Sequence, residues 1–104
     1  MRLSSVEVKG EGPQPSDVLV VGQNPGRPDE KGGIFEAKTW TGKKLRSALL
    51  PFAGLDMATV RCEYLVPCRP PREPGRGDAQ PNRAEITEWW PRLMSAVEAT
   101  EPKV

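Results

Sequence analysis

The feature that most constrains this chain is a short aliphatic run that stops at a stiff polar corner. Residues 17–26 read DVLVVGQNPG. A continuous apolar run of this length, bounded by turn signals, has the form of a strand buried on both faces of a parallel sheet. The corner after it holds two amides side by side, Gln23 and Asn24, and Pro25 restricts the backbone of Asn24 before it. Gly22 and Gly26 allow a ligand to approach the backbone closely. An Asn held there offers one oxygen acceptor and one NH₂ donor, which suits it to hold a water or to read an amide-like edge such as that of a pyrimidine. A neutral amide is no strong general base, so any catalysis by Asn24 would come from positioning. A purely structural turn, with Asn24 capping local backbone groups, accounts for the same residues equally well. A phosphate loop does not, because the Gly-Lys-Ser/Thr signature is missing after the strand.

The remaining segments supply a frame for that corner. Residues 1–16 form a polar N-terminal segment with a short strand expected at 5–8. Residues 27–41 show no periodicity and read as a long loop. GKKLRSALLPFAGL then places Leu45, Ala48, Leu49 and Phe52 on one helical face, and Pro51 is expected to end or kink that helix near Leu50. TVRCEYLVPC reads as a second strand. CRPPREPGRGDAQP is too rich in proline and glycine for a regular element. Asn82 is a plausible N-cap, completed as a capping box by Glu85, before a helix carrying Ile86, Trp89 or Trp90, Leu93 and Val97 at helical spacing.

Strand, helix, strand with aliphatic strands favours a parallel sheet and a right-handed crossover. Ligands of such sheets bind beyond the carboxyl ends of the strands. The amide corner and the CRPPREPGRG loop should therefore border one crevice. Residues 1–104 are expected to form a single α/β domain with a small parallel sheet. Its strand edges are expected to be unpaired, and a second chain is a candidate to complete it.

Composition narrows the function classes. Lys+Arg 15 against Asp+Glu 14 leaves a net charge of +1, so no global field argues for nucleic acid. No stretch approaches the roughly 20 apolar residues of a membrane span, and no signal peptide opens the chain, so a cytoplasmic protein is expected. Cys62 and Cys68 are the two cysteines. Six extended steps cover about 20 Å, whereas disulfide Cα atoms lie within about 7 Å, so a mutual bridge is not expected. The chain has no histidine, which removes the commonest general base and metal ligand.

Candidate nucleic-acid contacts are therefore local. Phe35 and Trp40 lie on the loop facing the corner, where an aromatic side chain can stack on a base; either can equally pack the loop onto the body. Lys43 and Lys44 open a helix, and Arg69, Arg72 and Arg76 punctuate the second loop, where proline stiffness would hold guanidinium groups out for phosphates. Glu73 and Asp78 are interleaved, so a solvated loop is the competing reading.

With these residues in place, the chain resembles the uracil-DNA glycosylase superfamily, closest to its iron–sulfur-type (family 4) branch. The resemblance runs from residue 10 to 104 through GEGP, VLVVGQNPG, TGKKLRSALL, YLVPCRPP and PNRAEITEWWPRL, and it corresponds to the N-terminal half of such a domain. It implies a three-layer α/β/α fold and a role in recognising uracil or a related base in DNA for base excision. Gln23 and Asn24 would be the catalytic and base-contacting residues, with Gly22 beside them. Phe35 would stack on the base, with Trp40 as the alternative, and Lys43, Lys44, Arg69 and Arg72 would hold DNA. The branch's cluster needs four cysteines; Cys68 fits the third position, whereas Trp89 stands at the fourth and the N-terminal pair has no counterpart, so no cofactor is expected. The His-containing second motif is likewise missing from the 104 residues. That leaves excision and a non-catalytic DNA-binding or protein-interaction module, or an inactive remnant, as competing expectations.

Overall fold

Two short parallel strands set the frame of the computed structural model, which describes residues 2–71 and 80–104. β1 (Leu19–Gly22) pairs with β2 (Arg61–Tyr64), Leu19 beside Arg61 through to Gly22 beside Tyr64. Between them lie α1 (Arg27–Gly32), α2 (Trp40–Lys44), a π-helical turn (Leu45–Leu49) and α3 (Leu50–Phe52). After β2 comes α4 (Arg83–Thr100).

Alternation along the strands separates two layers. Cys62 and Tyr64 face one way and join Val18 and Val20 in a core with Ile34, Phe35, Leu45 and Leu50. Glu63 faces the other way, toward α4, whose Ile86 and Trp89 pack against Leu3, Val66 and Cys68. The result is helix, sheet, helix: an α/β domain with a small parallel sheet. α4 lies against β2 rather than β1. Val21 therefore remains 47% exposed, and β1 is not buried on both faces as its aliphatic run suggested.

The edges expected to be unpaired are covered in part by the chain's own ends, while the sheet itself has two strands. Glu11 and Cys62 exchange both backbone bonds at 3.1 and 2.8 Å, and Val8 N donates to Pro67 O at 2.8 Å. The N-terminal segment thus runs antiparallel along β2, with Leu3 and Val8 buried. On the far edge of β1, Leu19 N donates to Val104 O at 3.0 Å and Val104 N to Asp17 O at 2.9 Å, the alternation of a parallel ladder.

The helical face expected from Leu45, Ala48, Leu49 and Phe52 is also corrected. Leu50 N donates to Leu45 O, an i→i+5 bond that widens the turn. Leu45 and Leu50 consequently both point inward, while Leu49 and Phe52 are 62% and 97% exposed. The helix runs on only one residue past Pro51, to Phe52, and the π turn directly before the proline breaks the regular ladder where its missing N–H and ring would conflict with it. α1 interrupts what read as an unbroken loop. Its start signals, Pro28 in the first turn with Asp29 and Glu30 after it, are present, but six residues are too few to show a period.

α4 begins as its sequence indicates. Asn82 Oδ1 accepts from Glu85 N at 2.9 Å, and Glu85 Oε1 accepts from Asn82 N at 2.8 Å. Arg2 reaches the same carboxylate, and its hydrogen bond is the main cause holding Glu85 below the ordinary carboxylate range. Cys62 and Cys68 are buried free thiols.

Candidate functional site

The turn after β1 and the start of the segment after β2 emerge at the same end of the sheet and border a cleft of about 660 Å³. That is the size range of small-molecule sites, on the order of 300–1,000 Å³.

Its floor is aromatic. A Cβ at Gly22 would lie 2.6 Å from Phe35 Cε1 and 2.8 Å from Tyr64 Cε1, so only glycine lets both rings close over the end of β1. The rings meet edge to face with centroids 5.1 Å apart. Phe35 adopts a left-handed backbone, φ 50°, which costs a non-glycine residue about 1 kcal/mol or more. Two contacts offset that strain: Phe35 N donates to the Tyr64 hydroxyl at 3.3 Å, and Phe35 O accepts from the Arg46 guanidinium. Phe35 is thus no exposed loop aromatic. It is buried at 3% exposure, yet part of it still lines the cleft. Burial, with the Asp29 charge adding to it, holds the Tyr64 phenol above its ordinary value, so the hydroxyl keeps its proton.

Asp29 joins the polar corner to this floor. Its buried carboxylate accepts from Gly26 N at 2.7 Å through Oδ2 and from Glu36 N at 2.9 Å through Oδ1. One side chain therefore fixes the end of the GQNPG turn and the residue after Phe35. Sequence reading passed over Asp29. The signal lay in its place three residues after Gly26 at a helix start, where acidic side chains cap free N–H groups.

The two amides differ in their commitments. Pro25 is buried beneath them, and the turn's backbone is held by Leu65 N on Gly22 O at 2.8 Å and Val66 N on Gln23 O at 3.0 Å. Asn24 Nδ2 donates to Pro25 O at 3.1 Å, which is the local capping that a structural turn would show. Among the described residues nothing donates to Asn24 Oδ1, and the exposed Gln23 side chain makes no hydrogen bond. Both amides line the cleft with polar capacity to spare.

The remaining candidates divide. Arg69 lines the cleft and pairs with Glu30 at 3.1 Å. The Ser4 hydroxyl on the same carboxylate, followed by Arg69, holds Glu30 below its usual range. Trp40 stands at the mouth, 75% exposed. Lys43 and Lys44 are exposed on α2 and do not line the cleft. Arg72 lies outside the described residues. The structure thus gathers Gly22, Gln23, Asn24, Phe35 and Arg69, together with Tyr64 and Asp29, which the sequence did not single out. An aromatic floor, a protonated phenol, the Asn24 Oδ1 acceptor and the Gln23 amide thus share one cleft.

Among the described residues no set of His, Cys, Asp and Glu side chains is grouped to hold a metal ion, and no helix is long and apolar enough to cross a membrane. Comparison with curated proteins finds no significant match. The sequence model of the Uracil DNA glycosylase superfamily matches residues 9–104, which takes in both strands, the turn between Gly22 and Gly26 and every described wall of the cleft. The chain belongs to the uracil DNA glycosylase superfamily.

Proposed function

We propose that this chain recognises uracil, or a closely related base, turned out of a DNA strand for base excision, and that it stands closest to the family 4 branch and corresponds to the N-terminal half of such a domain. The observation that carries this reading is the convergence of Gln23, Asn24, Phe35 and Tyr64 on one cleft at the carboxyl end of β1. The base edge meets the open amide groups: Asn24 Oδ1 accepts from a ring N–H or holds a water, and the free Gln23 amide supplies a donor to a carbonyl oxygen. Phe35 and Tyr64 supply the apolar wall. Arg69, at the rim, meets a backbone phosphate as a point of electrostatic attachment.

Excision by these residues alone is slow. Asn24 positions a water without being a base, and no histidine is present to support charge building up on the departing uracil. Losing one preorganised donor commonly costs about 3 kcal/mol of barrier lowering. The cluster of the family 4 branch does not fit the residues present. The chain has two cysteines, and Cys68 is buried beside Leu3 and Val66 with Trp89 packed against that group, not beside further thiols.

The test uses single-stranded DNA containing one uracil, incubated with the purified chain and then treated with alkali. Strand breaks that disappear with Asn24→Ala establish excision. Uracil-dependent binding without breaks assigns a recognition module. The absence of both strand breaks and uracil-dependent binding overturns the proposal.

A further inference from the structure

Trp40 lines the same cleft as Phe35 but keeps 75% of its surface exposed. The two aromatics therefore do not compete for one role. Phe35 is buried and fixed by Tyr64 and Arg46, whereas Trp40 offers its surface to whatever lies outside the mouth. Trp40 is not on a loose loop either. Thr39 Oγ1 accepts from Gly42 N at 3.0 Å and donates to Glu36 O at 2.7 Å, locking the start of α2 to the residue after Phe35. Gly42 is needed for that contact, since a Cβ there would lie 2.0 Å from Glu36 O. Lys43 and Lys44, three and four residues beyond Trp40 along α2 and so on its face of the helix, are exposed, as is Lys38 two residues before it. A rigidly mounted, bared indole among cations is the composition of a stacking platform for single-stranded nucleic acid.

We propose that Trp40 forms an outer subsite that stacks the nucleobase adjacent to the one held in the cleft. This rests on the reading of the cleft as a uracil site and deepens it. The ligand is then a stretch of at least two nucleotides in single-stranded DNA, because a neighbouring base in a duplex is already stacked within the helix. A free base or nucleoside fills only the inner site.

The experiment measures anisotropy of a labelled single-stranded pentamer carrying one 2′-fluoro-2′-deoxyuridine, whose glycosidic bond resists hydrolysis. Its relatives carry cytosine at that position, or a tetrahydrofuran abasic unit at each flanking position in turn. One of the two flanking deletions should weaken wild-type binding by roughly 5- to 100-fold, the range of a lost base–aromatic stack. Trp40→Ala should show a similar loss on the intact pentamer and little further loss on that abasic version, while Trp40→Phe retains most of the affinity. Trp40 is largely exposed, so Trp40→Ala should keep the wild-type circular dichroism spectrum and melt. Wild type preferring uracil over cytosine while Trp40→Ala binds within about twofold of it sinks the outer subsite and leaves the cleft reading standing; so do losses from Trp40→Ala and the abasic unit that simply multiply. Wild type with no preference for uracil over cytosine removes the cleft reading and the outer subsite together.

Discussion

The Phe35 ring occupies the space that a side chain at position 22 would need, 2.6 Å from where the Cβ would stand. This contact couples the end of β1 to the aromatic floor, so the glycine that opens the polar corner also decides where the ring sits. Gly22→Ala should force Phe35 and Tyr64 apart, cost about 1–3 kcal/mol of stability as an overpacked site, and abolish uracil-dependent binding. Urea melts with parallel binding titrations check both effects.

Asp29 should control both the order of the cleft and the stability of the fold. Asp29→Ala leaves Gly26 N and Glu36 N without their charged acceptor, a loss of about 1–3 kcal/mol. Amide hydrogen exchange at those two residues should accelerate most. Asp29→Asn, which keeps one acceptor oxygen, should fall between wild type and Asp29→Ala.

Glu63 is a buried carboxylate shared by two arginines, Arg61 at 2.8 Å and Arg92 at 3.0 Å. Arg92 also donates to Tyr64 O, so it ties α4 to the strand that carries the cleft's tyrosine. Glu63→Ala should destabilise by about 3 kcal/mol, because it strands two partly buried guanidinium groups. Glu63→Ala and Arg92→Ala combined should cost clearly less than their sum. Chemical denaturation of the four proteins in the cycle measures it.

Stability should fall in alkali. Burial, with the Glu11 charge adding to it, pushes the Cys62 thiol from an ordinary 9.0 up to about 11. Between those values the unfolded chain has released this proton and the folded chain has not, so rising pH favours unfolding. The Cys62 contribution is fully present below pH 9.0 and lost by about pH 11. Burial raises Tyr64 and Cys68 in the same sense. Denaturation midpoints from pH 8 to 11 should therefore decline, and Cys62→Ala should flatten the decline. A midpoint that rises over this range contradicts the assignment.

Local rules carried the sequence reading where neighbouring residues settle the structure among themselves. The Asn82–Glu85 capping box starts α4 because both partners lie within one turn. The amide corner follows a strand because an aliphatic run meeting Gly-Gln-Asn-Pro-Gly has few other solutions, and the strand–helix–strand order brings both connectors to one end of the sheet. Matters that depend on distant partners were not legible. The π turn that buries Leu50 and exposes Leu49 breaks the 3.6-residue period on which the helical face was read. The burial of Glu63 depends on Arg92, 29 residues further along the chain, which meets its carboxylate from α4. The left-handed backbone of Phe35 is held by Tyr64 and Arg46, and neither is a sequence neighbour. The sequence by itself determined that two amides stand on a stiff turn directly after a strand and that an aromatic-bearing segment follows them. Tertiary packing alone decided that Phe35 is the floor and Trp40 the rim, because burial depends on which surfaces meet after folding.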